Sequence, residues 1–183
     1  MYRRPATPIE AADKNQAPSF AAKAPPEISP MPAQMFHVRD ANYAERTRAS
    51  FARQGFLLYV GARIEEIEPG RCVIAADFRD ELAQQNGFFH GGLIGALADS
   101  AGACATGTLI EATQSLLTVE YKINLLAPAK APKLKAVGEV VRAGRTLTVS
   151  QVNLLTVDDA GKAQLCALAT VTMMTLTSRG DSK

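Results

Sequence analysis

Residues 85–105 read QNGFFHGGLIGALADSAGACA, a run of small and apolar residues that carries one carboxylate, Asp99, and one histidine, His90, beside the pair Gly91-Gly92. An isolated charged carboxylate is expensive to bury, so proteins avoid it, protonate it or pair it. Asp99 therefore needs a reason. A carboxylate facing a cleft can attack an electrophilic carbon or take a proton from water. At the start of a helix the first N–H groups have no intrahelical partner and sit at the positive end of the dipole. Gly91, with no side chain, lets such an N–H come close to a developing negative charge.

Spacing constrains how the two groups could act. Gly91 and Asp99 are eight residues apart, which is about 12 Å along one helix at 1.5 Å per residue. One reacting group cannot lie within about 3 Å of both. If they act together, the second must come from another copy of the chain, with the two helices antiparallel across a two-fold axis.

The elements that must position these groups follow from the pattern. Asn42 and Glu45 have the spacing of a capping box, followed by Ala44, Thr47, Phe51 and Ala52 on one helical stripe, with Gly55 placed to stop it. Two β-rich runs, 56–67 and 72–78, flank Pro69-Gly70 and predict a hairpin. The stretch 90–110 predicts a helix buried on nearly all sides. Its glycines weaken helix propensity by up to about 1 kcal/mol each, so close packing against a sheet must hold it. Four β-rich runs follow, 116–126, 133–142, 146–157 and 163–177, with turns at Pro128, Ala143-Gly144 and 158–161. In the first of them Leu117, Val119, Tyr121, Ile123 and Leu125 alternate with Thr118, Glu120, Lys122 and Asn124. That stripe is expected to face the core, as are Met173 and Met174. The order suits an α+β fold, a long antiparallel sheet wrapped around a central buried helix.

Composition narrows the class. The 183 residues are 47% hydrophobic and 21% charged, with a formal net charge of +2. That is the make-up of one globular domain, with scattered cations and no nucleic-acid footprint. No run is long and charge-free enough to predict a membrane span, and no apolar secretory core follows Arg3-Arg4. Cys72, Cys104 and Cys166 lie far apart in apolar runs, without the spacing of a disulfide framework or zinc site, and read as core thiols of a cytoplasmic protein. Residues 1–36 hold seven of the ten prolines and are expected to form a disordered tail, or to precede a natural start at Met31 or Met35. The domain is then expected at 37–178, with a short tail at 179–183.

From about residue 38 to 177 the chain resembles the hotdog-fold acyl-CoA thioesterases of the phenylacetate-pathway (PaaI-like) type. The resemblance rests on NGFFHGGLIGALADSA at 86–101, TVEYKINLLAPA at 118–129 and VRAGRTL at 141–147. Its most specific part is His-Gly-Gly with an acid nine residues after the histidine. The resemblance implies hydrolysis of acyl-CoA to a carboxylic acid and CoA, with Asp99 as nucleophile or general base. It implies that the Gly91 N–H binds the thioester carbonyl, that Gln84 helps orient it, with Asn86 close by, and that Thr118 positions water. Substrate contacts are expected from His90, Asn86, Gly92, Arg142 and Arg145, with His90 also fixing the helix entry and the two arginines meeting the nucleotide phosphates of CoA. No metal or other cofactor is implied, since CoA is part of the substrate. The assembly implied is a homodimer or a dimer-of-dimers homotetramer, with no nucleic-acid or membrane partner. Two other readings stay open: a non-catalytic acyl-CoA binding or sensing module, and an acyl-thioester hydratase or dehydratase.

Overall fold

The computed structural model describes residues 36–177; the tails expected at the two ends lie outside the described residues, except Phe36, which packs against the core. The elements run α1 (Tyr43–Phe51), α2 (Gly55–Tyr59), β1 (Arg63–Glu68), β2 (Arg71–Asp77), α3 (Gly91–Gly107), β3 (Gln114–Leu125), β4 (Lys133–Ala143), β5 (Leu147–Val157) and β6 (Ala163–Thr177). The six strands form one antiparallel sheet in the order β1-β2-β4-β5-β6-β3. The sheet curves around α3, which touches β2, β4, β5, β6 and β3. This is the hotdog architecture.

The glycines of α3 and of the sheet explain how that contact is made. A side chain at Gly102 would come within 2.9 Å of Val171 on β6, and one at Gly138 within 2.5 Å of the Ala101 carbonyl. Helix and sheet thus approach at distances that a larger residue would prevent. Around these points Ile74, Leu97, Leu134, Val152, Leu154 and Met173 are buried. Two buried hydroxyls of α3 and its C-cap are paired within the layer. Thr106 donates to the Gly102 carbonyl at 2.9 Å, and Thr108 accepts the Gly70 N–H at 2.7 Å. Among the described residues no helix is long and apolar enough to cross a membrane.

Three local expectations are corrected. Asn42 is the N-cap of α1, but its side chain makes no cap hydrogen bond. Asp40 does the work instead, with Oδ1 accepting the Asn42 N–H at 2.9 Å and Oδ2 accepting from Arg46 Nε at 2.7 Å. Gly55 does not end structure: it opens α2, and Phe56–Tyr59 is helical rather than part of a strand. Docking decides this, because Leu57 and Val60, three apart, are both buried, and Gly61 turns the chain with φ +70°. A short apolar run does not distinguish helix from strand by its period.

The third correction concerns β3. A bulge between Thr118 and Glu120 shifts the register with β6. Before it, Leu116 packs on the core and Thr118 reaches α3; after it, Tyr121 and Ile123 do so. One extra residue therefore switches which side chains face the helix. Leu117 and Val119, expected in the core, are each 54% exposed. Tyr121 and Leu125 are also exposed, and Met174 is only half-buried, whereas Met173 is buried.

Candidate active site

Asp99 lies in the third turn of α3, half-buried, on the side of the helix that meets β3. The Thr118 hydroxyl donates to Asp99 Oδ1 at 2.8 Å. The β3 bulge makes this bond possible by placing Thr118 on the helix side. Among the described residues no lysine, arginine or histidine forms an ion pair with Asp99. Asp99 and Thr118 open on a cleft of about 580 Å³ between α1, the second half of α3 and the start of β3. The carboxylate thus has one oxygen held by a hydroxyl and faces space that a ligand could fill. Cys104 lines the same cleft, but the neighbouring Cys72 thiol, burial and the Asp99 charge all push its thiol well up. Since the thiolate is the nucleophilic form, Cys104 is an inert wall beside Asp99.

At the other end of α3, His90 is the N-cap, and its Nδ1 accepts the Gly92 N–H at 2.9 Å. An accepting Nδ1 leaves the ring proton on Nε2. This fixes the helix entry, and it engages the Gly92 N–H within the chain. Gly91 is the first helical residue and is exposed, and among the described residues no acceptor takes its N–H. Gln84 and Asn86 lie in the turn just before, where Gln84 Oε1 accepts the Asn86 N–H and Gln84 N–H donates to the Phe88 carbonyl at 2.8 Å. The turn is tied to the helix start by the bond from the His90 N–H to the Leu82 carbonyl at 2.8 Å.

The residues singled out from the sequence thus fall into three places. Gln84, Asn86, His90, Gly91 and Gly92 gather at the helix N-terminus, while Asp99 and Thr118 sit about 12 Å further along it. Arg142, near the end of β4, and Arg145, in the turn that leads to β5, are exposed and away from the cleft lining. No metal-holding cluster of three His, Cys, Asp or Glu occurs among the described residues.

What the sequence did not signal is the role of α1. It walls the cleft with Thr47, Ser50 and Phe51. Arg46 pins α1 in place, donating through Nη2 to the carbonyls of Gly107 and Ile110, each at 3.0 Å. These are end carbonyls of α3 and its following turn, so a cation there also meets the negative end of the helix dipole. Arg46 in turn holds the Asp40 carboxyl below its usual range. A cap supplied by a distant helix leaves no spacing to read.

The sequence model of the Thioesterase superfamily matches residues 86–163, which contain the α3 carboxylate, its Thr118 partner and the open Gly91 amide. A solved thioesterase family protein from Silicibacter pomeroyi is 39% identical, with a TM-score of 0.72 over 74% of this chain and 98% of that one. The chain belongs to the thioesterase superfamily. A Saccharolobus solfataricus protein carrying the provisional name of esterase is 32% identical over 111 residues, 61% of this chain and 71% of that one. The 1,4-dihydroxy-2-naphthoyl-CoA hydrolase of Listeria monocytogenes is 25% identical over 95 residues, 52% of this chain and 77% of its own length. This thioesterase is accordingly an enzyme for acyl-thioester hydrolysis.

Proposed function

We propose that this thioesterase hydrolyses acyl-CoA to a free carboxylic acid and CoA at a site shared by two copies of the chain. The observation that carries the reading is the placement of Asp99: half-buried, paired among the described residues only with Thr118, and open to the cleft. Asp99 of one subunit acts on the acyl carbon, as nucleophile or as base for water, while the Gly91 N–H of the partner subunit donates to the carbonyl oxygen. In the base route, water oxygen bonds to the acyl carbon, Asp99 takes the proton, the C–S bond breaks, and the proton passes to the departing thiolate. Thr118, by donating to one carboxylate oxygen, holds Asp99 in one orientation, and its own oxygen can accept from the water. An N–H aimed at the oxyanion lowers the barrier by about 3 kcal/mol.

The two-copy arrangement is supported by the 12 Å separation and by β3 itself. β3 is a sheet edge, and it exposes Leu117, Val119, Tyr121 and Leu125. An unpaired apolar edge is a pairing surface, and antiparallel β3 edges would also bring two α3 helices antiparallel. Arg142 and Arg145 are free to meet phosphates of CoA. The CoA reading draws on the named hydrolase relative and on these cations.

Release of free thiol from a panel of acyl-CoAs tests this. Wild-type protein is expected to release CoA from at least one of them, and Asp99→Asn to lose that activity with its circular dichroism unchanged. Thiol release that survives in Asp99→Asn would remove Asp99 from the reaction.

A further inference from the structure

Three contacts tie β3 to α3 along one stripe of the helix. Thr118 meets Asp99 through the 2.8 Å hydrogen bond, the Tyr121 hydroxyl lies 3.3 Å from where a β-carbon at Gly95 would stand, and Leu125 Cδ1 lies 3.7 Å from the same point at Gly91. The helix positions 99, 95 and 91 are four apart, so each rung is about 6 Å from the next, roughly one turn. β3 thus runs antiparallel to α3, with Tyr121 midway between the carboxylate and the open amide. On either side of Tyr121, and pointing to the other face of β3, Glu120 and Lys122 are exposed. Among the described residues neither forms an ion pair. Their hydrogen bonds are to neutral groups: Thr172 donates to Glu120 at 3.3 Å, and Lys122 to Asn124 at 2.8 Å.

We propose that β3 pairs with β3 of a second copy in one register, with Tyr121 on the two-fold axis and Glu120 of each chain opposite Lys122 of the partner subunit. This rests on the shared-site reading given above. If Gly91 faces the partner's Asp99, the two antiparallel helices cross the axis halfway between those residues, at Gly95. Tyr121 is the β3 residue at that level, so it stands opposite its own copy. In an antiparallel pair its neighbours then exchange partners, 120 with 122 and 122 with 120. Charge selects the same register independently. Moving the axis one residue back sets Glu120 against the partner's Glu120, and one residue forward sets Lys122 against the partner's Lys122. Like charges directly opposite one another are destabilising, and opposite charges stabilise. Of the three registers, the one centred on Tyr121 alone gives each carboxylate an ammonium. Glu120 and Lys122 are then positioning residues: they touch no substrate, and they set the alignment that brings the Gly91 N–H to the partner's Asp99.

Single cysteines on β3 test the register, because only a residue on the axis meets its own copy. Under mild oxidation with copper phenanthroline, Tyr121→Cys is expected to run as a disulfide-linked dimer on a non-reducing gel. Glu120→Cys and Lys122→Cys lie about 7–8 Å from their own copies, beyond disulfide reach, and are expected to run as monomers. Wild type, whose Cys72, Cys104 and Cys166 are buried, is the blank. Charge reversal gives a second readout. Glu120→Lys and Lys122→Glu, made singly, should each raise the dimer dissociation constant about tenfold in analytical ultracentrifugation. The double reversal should restore both the dimer and thiol release. Cross-linking at 120 or 122 in place of 121, or at none of the three in a dimeric protein, would overturn the register and leave the shared site standing. So would a double reversal that pairs no better than the single ones. Wild-type protein that is monomeric and still active would overturn both.

Discussion

β5 and β3 are strands of almost equal length in the same sheet, and they treat their side chains in opposite ways. β5 lies inside the sheet and alternates without interruption: Thr148, Ser150, Val152, Leu154 and Thr156 are buried, with half-buried residues between them. β3 lies at the edge, has a bulge at Val119, and buries no residue fully. In β5 the alternation serves packing alone. In β3 the break in alternation turns Thr118 toward Asp99 and leaves Leu117 and Val119 exposed. A single irregularity both completes the acid end of the site and leaves an apolar rim for another chain. The site therefore lies where the strand departs from its regular pattern, not where it follows it.

Substitutions can break or sharpen that contrast. The largest effect is expected at the carboxylate that Thr118 holds. Asp99→Asn should lower kcat between about a hundredfold and ten-thousandfold, the range for losing an acid-base group, with an unchanged thermal melt. Next is Gly91→Pro, which deletes the N–H. Proline is tolerated at the first helical position, and His90, at φ −64° and ψ 136°, already has a backbone suited to precede it. The loss should be on the order of a hundredfold in kcat, with helix content by circular dichroism retained.

Charging the rim of β3 tests the other half of the contrast. Leu117→Lys with Val119→Lys should shift the protein toward monomer in analytical ultracentrifugation and lower activity by about tenfold or more, since a shared site needs its partner. Their exposure means that the monomer should remain folded. The opposite result is expected in β5. Leu154→Ala, at a side chain with no exposure, should cost about 2–5 kcal/mol in denaturant unfolding. Below the melting transition it should leave kcat within about a factor of two, since Leu154 is absent from the cleft. A loss of activity without a loss of stability in Leu154→Ala would end the contrast.

Much of this was legible in the sequence where one period dominates. The glycine- and alanine-rich helix with His90 at its entry, the Pro69-Gly70 hairpin, and strands β2, β4, β5 and β6 each have a pattern that their packing reinforces. Asp99 stood out because a carboxylate in such a run has few bland uses. The failures have tertiary causes. Phe56–Tyr59 has no resolvable period, and the docking of Leu57 and Val60 made it a helix. Asn42 and Glu45 had the spacing of a capping box, but Asp40 takes the Asn42 N–H. The β3 stripe looked regular because a bulge leaves no mark in the pattern when both faces carry apolar residues. Thr47 and Arg46 were invisible as cleft residues because their neighbours, Gly107 and Ile110, are some 60 positions away.

The claim that one site draws on two chains is tested most directly by mixing two inactive variants. Asp99→Asn and Gly91→Pro chains are co-expressed and the mixed population is assayed by thiol release. Each mixed dimer would hold one site with an intact Asp99 from one chain and an intact Gly91 N–H from the other. Random pairing should then restore about a quarter of wild-type activity. A mixture that stays as inactive as its parents, although ultracentrifugation shows dimers and tagged chains confirm exchange, would contradict the shared site.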